Sequence, residues 1–136
     1  MCGSYWLCTG HLNATAAQTG LAVGLFAAAV LLVNNKRDVK ADARVGRNTL
    51  AILAGLRVTN WIYAGLLLTP FALLIPIGLH LPRGHVWPAL ISLPLVVFLI
   101  NEFVHAAHER GLNRILAQTV QTQALFGLLL CVGLFI

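Results

Sequence analysis

The sequence predicts an all-α integral membrane protein, a helical bundle of about four transmembrane helices. Three observations predict it. Of the 136 residues, 59% are hydrophobic and 10% are charged, whereas a soluble domain is roughly 45–50% apolar and roughly 25% charged. The mean hydropathy is +0.84. Long apolar stretches also recur along the chain, near the ~20 residues needed to cross a hydrocarbon core of ~30 Å. Backbone polar groups in lipid must be satisfied within their own segment, so these stretches are expected to be helices.

Taken in order, the first stretch runs from about Ala14 to Val33. The second runs from about Trp61 to Leu79 and contains Pro70 and Pro76, which can kink a membrane helix without ending it. Pro82 and Gly84 mark a turn. The third stretch covers about Val86 to Val104. The fourth starts near Leu112 or near Ala124 and continues to Ile136, and it is long enough to cross only from the earlier start. The opening Met1-Cys2-Gly3-Ser4-Tyr5-Trp6 lacks the basic start and apolar core of a signal peptide and reads as the interior of a longer chain.

Charge placement sets the expected topology. The segment Lys36–Arg57 carries six Lys or Arg residues, Arg110 and Arg114 follow the third stretch, and Arg83 alone lies in the turn between. Four crossings put the first two groups on one side, which the positive-inside rule assigns to the cytoplasm. The net charge of +5 is spread over short segments between spans rather than over one soluble face, which excludes a nucleic-acid partner. Cys2, Cys8 and Cys131 show no metal-ligand spacing, and Cys131, in an apolar run, is expected to be a buried core thiol.

The chemistry concentrates in Asn34-Asn35-Lys36-Arg37-Asp38-Val39-Lys40-Ala41-Asp42-Ala43-Arg44-Val45-Gly46-Arg47-Asn48-Thr49-Leu50, which holds both aspartates and five of the nine Lys and Arg residues. If the first helix continues past the membrane surface, Asn34, Asp38 and Asp42 lie along one face. Such an oxygen set suits Mg²⁺, which typically joins one or two carboxylates to substrate phosphates. Lys36, Arg37, Lys40, Arg44 and Arg47 could neutralise a diphosphate, with arginine offering bidentate contacts. An aspartate pair four apart is common by chance, and a basic cytoplasmic loop needs no further role. The Asn34-Asn35 pair argues for use, because polar residues at the end of a membrane helix are costly when idle.

This run resembles the second aspartate-rich motif of the UbiA superfamily of intramembrane aromatic prenyltransferases. Asn34-Asn35-x-Arg37-Asp38-x-x-x-Asp42-x-x-x-Gly46-x-x-Thr49-Leu50 looks like the 1,4-dihydroxy-2-naphthoate polyprenyltransferase branch. Tyr5 to Gly10, Leu112-Asn113-Arg114 and Leu125 to Leu129 resemble further stretches of it. The resemblance implies transfer of a polyprenyl group from polyprenyl diphosphate to 1,4-dihydroxy-2-naphthoate with decarboxylation, in menaquinone biosynthesis at the inner membrane. It assigns Asp38 and Asp42 to Mg²⁺ with Asn34 as a further metal ligand, and Asn34, Asn35, Lys36, Arg37 and Arg47 to substrate. Members carry two aspartate-rich motifs, and the first has no counterpart in these residues. Residues 1–136 are therefore expected to be the C-terminal part of such a domain, without its N-terminal half, inactive alone and marginally stable.

Other readings stay open. The acceptor could be 4-hydroxybenzoate, a porphyrin or homogentisate, although the double asparagine argues against it. The chain could equally be a non-catalytic membrane subunit or the product of a broken gene. Glu102, His105, His108 and Glu109 read as the interfacial end of a helix rather than an acid/base cluster. His80 and His85 are expected to face water, while Asn101, Glu102, Gln118, Gln121 and Gln123 are candidates to line a cavity.

Overall fold

The protein, represented by a computed structural model, is described over residues 2–80, 85–106 and 109–135. It is predominantly helical over these residues: α1 (Cys2–Thr9), α2 (Ala14–Arg44), α3 (Leu50–Leu79), a 3-10 segment (Trp87–Ser92) running into α4 (Leu93–His105), and α5 (Glu109–Phe135). Four of these units are long and apolar enough to cross a membrane: α2, α3, Trp87–His105 and Arg110–Phe135. The chain is a multi-pass membrane protein. The fourth span takes the earlier of its two expected starts. The turn at Pro82, Arg83 and Gly84 lies outside the described residues.

Helix α2 begins at Asn13, whose side chain accepts a 2.7 Å hydrogen bond from the Ala16 amide, satisfying one of the orphan donors at a helix start. At ~1.5 Å per residue its 31 residues reach about 46 Å, well beyond a ~30 Å core. The excess is the aspartate segment, so this part is helix and not loop as far as Arg44.

Helix α3 starts at Leu50, eleven residues before the apolar stretch seen in the sequence. Its interior break is at Gly55 (φ 76°, ψ 163°), and not at Pro70 or Pro76. Only glycine adopts that backbone region readily. The Gly55 carbonyl accepts a 2.8 Å bond from Thr59 Oγ1, so the break leaves it satisfied.

The core lies among α2, α3, α4 and α5. Phe26 of α2, Phe71 of α3 and Phe126 of α5 meet with ring centroids 5.0–6.4 Å apart, within the usual range for aromatic pairs. Tyr63 stacks on Phe103 at 3.9 Å and shares a 2.8 Å hydrogen bond with Thr119 Oγ1. Along α2 the buried positions are Thr19, Ala22, Phe26, Ala29, Leu32, Val33 and Lys36, which fall on one helical face. Cys131 is exposed, which corrects the expectation of a core thiol. An apolar run in a membrane helix faces lipid as readily as it faces the core.

Candidate active site

The buried stripe of α2 decides what the polar end can do. Lys36 closes that stripe. At ~100° per residue, Asp38 lies about 200° around the helix from Lys36. Asn34, Asp38 and Asp42 therefore lie around α2 from Lys36, and all three are part-buried, whereas Lys40 is exposed.

Both aspartates are held by arginines. Arg37 Nε and Nη2 donate to Asp38 Oδ1 and Oδ2, each at 2.7 Å, the parallel fork that suits a carboxylate. Arg37 Nη1 also reaches Asn113 Oδ1 on α5 at 3.1 Å. The Arg37 hydrogen bonds hold the Asp38 carboxyl below its usual range against the opposing effect of burial, with a lesser lowering from the Arg37 charge. Asp42 is paired with Arg47 Nη1 at 3.4 Å.

The second pair follows from how α2 ends. The Arg47 amide donates to the Asp42 carbonyl at 2.9 Å and the Gly46 amide to the Ala43 carbonyl at 3.3 Å. Gly46 is left-handed, with φ 71°. This is a Schellman cap, with glycine at the first residue past the helix cap. The spacing Asp42-x-x-x-Gly46-Arg47 thus carries a structural instruction: the cap folds Arg47 back over Asp42.

Lys36 is not brought to the aspartates. Its Nζ donates to Asn60 Oδ1 at 3.1 Å and to the Phe103 carbonyl, and it lies 4.0 Å from the Phe103 ring centroid. It ties α2 to α3 and α4. Asn34 and Asn35 are half-buried, and Arg47 is exposed. Thr49 Oγ1 is buried without a hydrogen-bond partner at the start of α3.

An open cavity of about 790 Å³ sits on the Lys36 side. Lys36, Arg37, Val39 and Lys40 of α2 line it, with Leu56 and Asn60 of α3, Val104, His105 and Ala106 at the end of α4, and Arg110 and Leu112 of α5. Sequence reasoning had not grouped Arg110 with the lysines of α2, because no local spacing links positions so far apart. Asn101 and Glu102 do not line this cavity. Gln118 and Gln121 line a smaller one of about 200 Å³ between α4 and α5, and Gln123 Nε2 reaches the Val23 carbonyl at 3.5 Å. His80 and His85 are exposed, as expected. His108 and the side chain of Glu109 lie outside the described residues.

Hard oxygen donors on one face fit Mg²⁺ rather than a thiolate-seeking metal. Among the described residues no three His, Cys, Asp or Glu side chains cluster to hold a metal. Asp38 and Asp42 are thus the carboxylates available there, a complement that suits Mg²⁺ when phosphate oxygens and water complete its shell.

Membrane-crossing helices carrying an aspartate–arginine cluster just beyond the apolar boundary define an integral membrane protein with a polar, charged site at one end of its bundle. The UbiA prenyltransferase family model matches residues 1–119, and the chain belongs to that family. It is 35% identical over 108 residues to the UbiA prenyltransferase domain-containing protein 1 of Dictyostelium discoideum, covering 79% of this chain and 32% of the relative. It is 31% identical to the 1,4-dihydroxy-2-naphthoate octaprenyltransferases of Bacillus subtilis and Escherichia coli, over 98% of this chain and 43% and 44% of those proteins. The chain thus spans less than half the length of these relatives. No solved structure matches it significantly.

Proposed function

We propose that the chain supplies the metal- and diphosphate-binding side of a prenyltransferase that moves a polyprenyl group from polyprenyl diphosphate to 1,4-dihydroxy-2-naphthoate. The observation that carries this reading is the Asp38–Asp42 pair one turn apart near the end of α2, each carboxylate already engaged by an arginine. The acceptor follows the names of the bacterial relatives.

Asp38 and Asp42, with Asn34 one turn before, would hold Mg²⁺, whose Lewis acidity neutralises charge developing on a departing diphosphate. Arg37 and Arg47 carry donors whose fork suits phosphate oxygens as well as carboxylates. Asn35 orients substrate beside them, and Lys36 contributes positive potential from behind. In the transfer, the allylic C–O bond breaks and diphosphate departs with the electron pair. The ring carbon bearing the carboxylate bonds to the allylic carbon. The bond to CO₂ then breaks, and its electrons restore the aromatic ring. The apolar spans keep water from the allylic cation and give the isoprenoid a lipid-like wall.

The chain spans less than half the length of the relatives it matches, and the opposite wall of the site is assigned to the remaining part of such a protein. The activity is therefore proposed for this chain together with an N-terminal half bearing the first aspartate motif. The basic ends of the helices would lie on the cytoplasmic side of the inner membrane.

The test is prenyl transfer from radiolabelled polyprenyl diphosphate to 1,4-dihydroxy-2-naphthoate in membranes containing this chain, with and without a co-expressed N-terminal half from a relative. Transfer only with the added half is expected. A stably inserted chain that is silent in both cases overturns the reading in favour of a non-catalytic membrane subunit.

A further inference from the structure

We infer that the pocket between α4 and α5 binds the ring of an uncharged phenol or hydroquinone that reaches it through the lipid. The pocket measures about 200 Å³. Leu95, Phe98, Leu99 and Leu125 give it apolar walls, while Gln118, Gln121 and Thr122 bring polar groups from α5. All lie in the middle of their spans, Trp87–His105 and Arg110–Phe135. Polar side chains at that depth are costly when idle, and Gln121 is exposed there. Gln118 Oε1 is buried without a hydrogen-bond partner, an expensive state for an acceptor. The terminal torsion of glutamine is broad, so a small rotation turns this oxygen into the pocket that Gln118 lines. Thr122 Oγ1 donates its proton to the Gln118 carbonyl at 2.8 Å, so it offers a ligand only lone pairs. The pocket therefore asks for a donor.

Size and charge select the ligand. A benzene ring fills an apolar cavity of about 150 Å³, so the space here holds one ring or a fused pair, and not a transmembrane helix. Among the described residues no charged side chain lines it. A diphosphate, a phospholipid head group or a carboxylate would therefore lie there uncompensated. The naphthoate acceptor of the proposed reaction is excluded on the same ground, and the inference does not rest on that reaction. No residue of α2 or α3 lines the pocket, so it is separate from Asp38, Asp42 and the larger cavity. A phenolic hydroxyl meets every requirement. Its O–H donates to Gln118 Oε1, its oxygen accepts from the Gln121 amide, and its ring packs on Phe98, Leu99 and Leu125.

The test uses the full chain in phosphatidylcholine nanodiscs and two probes, 1-naphthol and 1-methoxynaphthalene, which share their rings but differ in the donor. Equilibrium dialysis reads bound probe, and empty discs correct for the share dissolved in lipid. The wild type is expected to bind 1-naphthol about fivefold more tightly, the scale of one net hydrogen bond. Q118L is expected to erase that preference while both probes still bind, and L125W, which fills the pocket, to remove both. If Q118L fails to insert, Q118M gives the same readout. Equal wild-type affinities, a preference that survives loss of Gln118, or binding no greater than in empty discs overturns the site. Native mass spectrometry of the same discs tests the rival occupant. A dimer that excludes 1-naphthol and that Q121L dissociates overturns the ligand in favour of a second copy of the chain.

Discussion

Arg37 holds Asp38 through two parallel bonds of 2.7 Å while its third nitrogen reaches Asn113 on α5. One guanidinium thus fixes the first carboxylate of the motif and joins α2 to α5. The folded pKa of Asp38 is lowered. The ionised pair therefore stabilises the fold above the unfolded value of ~3.9, and that contribution is lost as pH falls through the folded value. Partial exposure of both side chains screens the effect. In R37Q the Asp38 carboxyl is expected to titrate at higher pH than in the wild type, as followed by carbon NMR of labelled aspartate. Identical titration curves would refute the assigned cause.

Asp38→Asn keeps the size of the side chain and removes its charge. In the complete enzyme it is expected to lower prenyl transfer at least ~100-fold, the scale seen when one charge-stabilising group is lost. The check is initial rates at saturating Mg²⁺, and near-normal turnover would remove Asp38 from the metal site.

Gly46 is the hinge of the second pair. A side chain there must adopt the left-handed region, at a cost of about 1–2 kcal/mol. G46A is expected to fray the last turn of α2 and free Arg47 from Asp42, while G46N, which tolerates that region better, does less harm. Hydrogen exchange at the Gly46 and Arg47 amides reads this directly, with faster exchange in G46A than in G46N.

Gly133 meets a different constraint. A Cβ there would lie 1.9 Å from the His85 carbonyl oxygen, whose own amide donates to the Gly133 carbonyl at 2.7 Å. G133A is expected to destabilise by about 1–3 kcal/mol through overpacking. Gly127 has open space around it, so G127A is the matched control with little loss. Thermal unfolding in detergent compares the two.

The number and order of the spans were legible because each apolar stretch is long and bounded by charge. The continuation of α2 was legible only as one option, since Asn34, Asp38 and Asp42 align if the helix goes on but the basic run reads equally as a loop. Three things were not. Residues facing lipid and residues facing the core are both apolar, so the exposure of Cys131 left no trace in the pattern. The break in α3 sits at Gly55 rather than at a proline because neighbouring helices and the Thr59 hydroxyl decide which irregularity is tolerated. The burial of Lys36 depends on partners 24 and 67 positions away, beyond the reach of any local period.

Lys36 yields the most discriminating experiment. Its ammonium is enclosed by Asn60, the Phe103 carbonyl and the Phe103 ring, so each partner exists at the expense of the others' hydration. K36M leaves the Asn60 amide and the carbonyl under-satisfied, which costs about 1–3 kcal/mol. N60L leaves the ammonium with one hydrogen bond fewer, and its cost is of the same order. The double variant removes both polar groups and leaves apolar side chains of similar bulk, which can be nearly neutral. The two losses are therefore expected to fall short of additivity by 0.5–3 kcal/mol, the span found for contacting residues. Equilibrium unfolding of the four proteins in one detergent supplies the cycle. A coupling near zero would mean that Lys36 does not rely on Asn60, and the lysine would then be free to turn toward an anionic ligand in the cavity it lines.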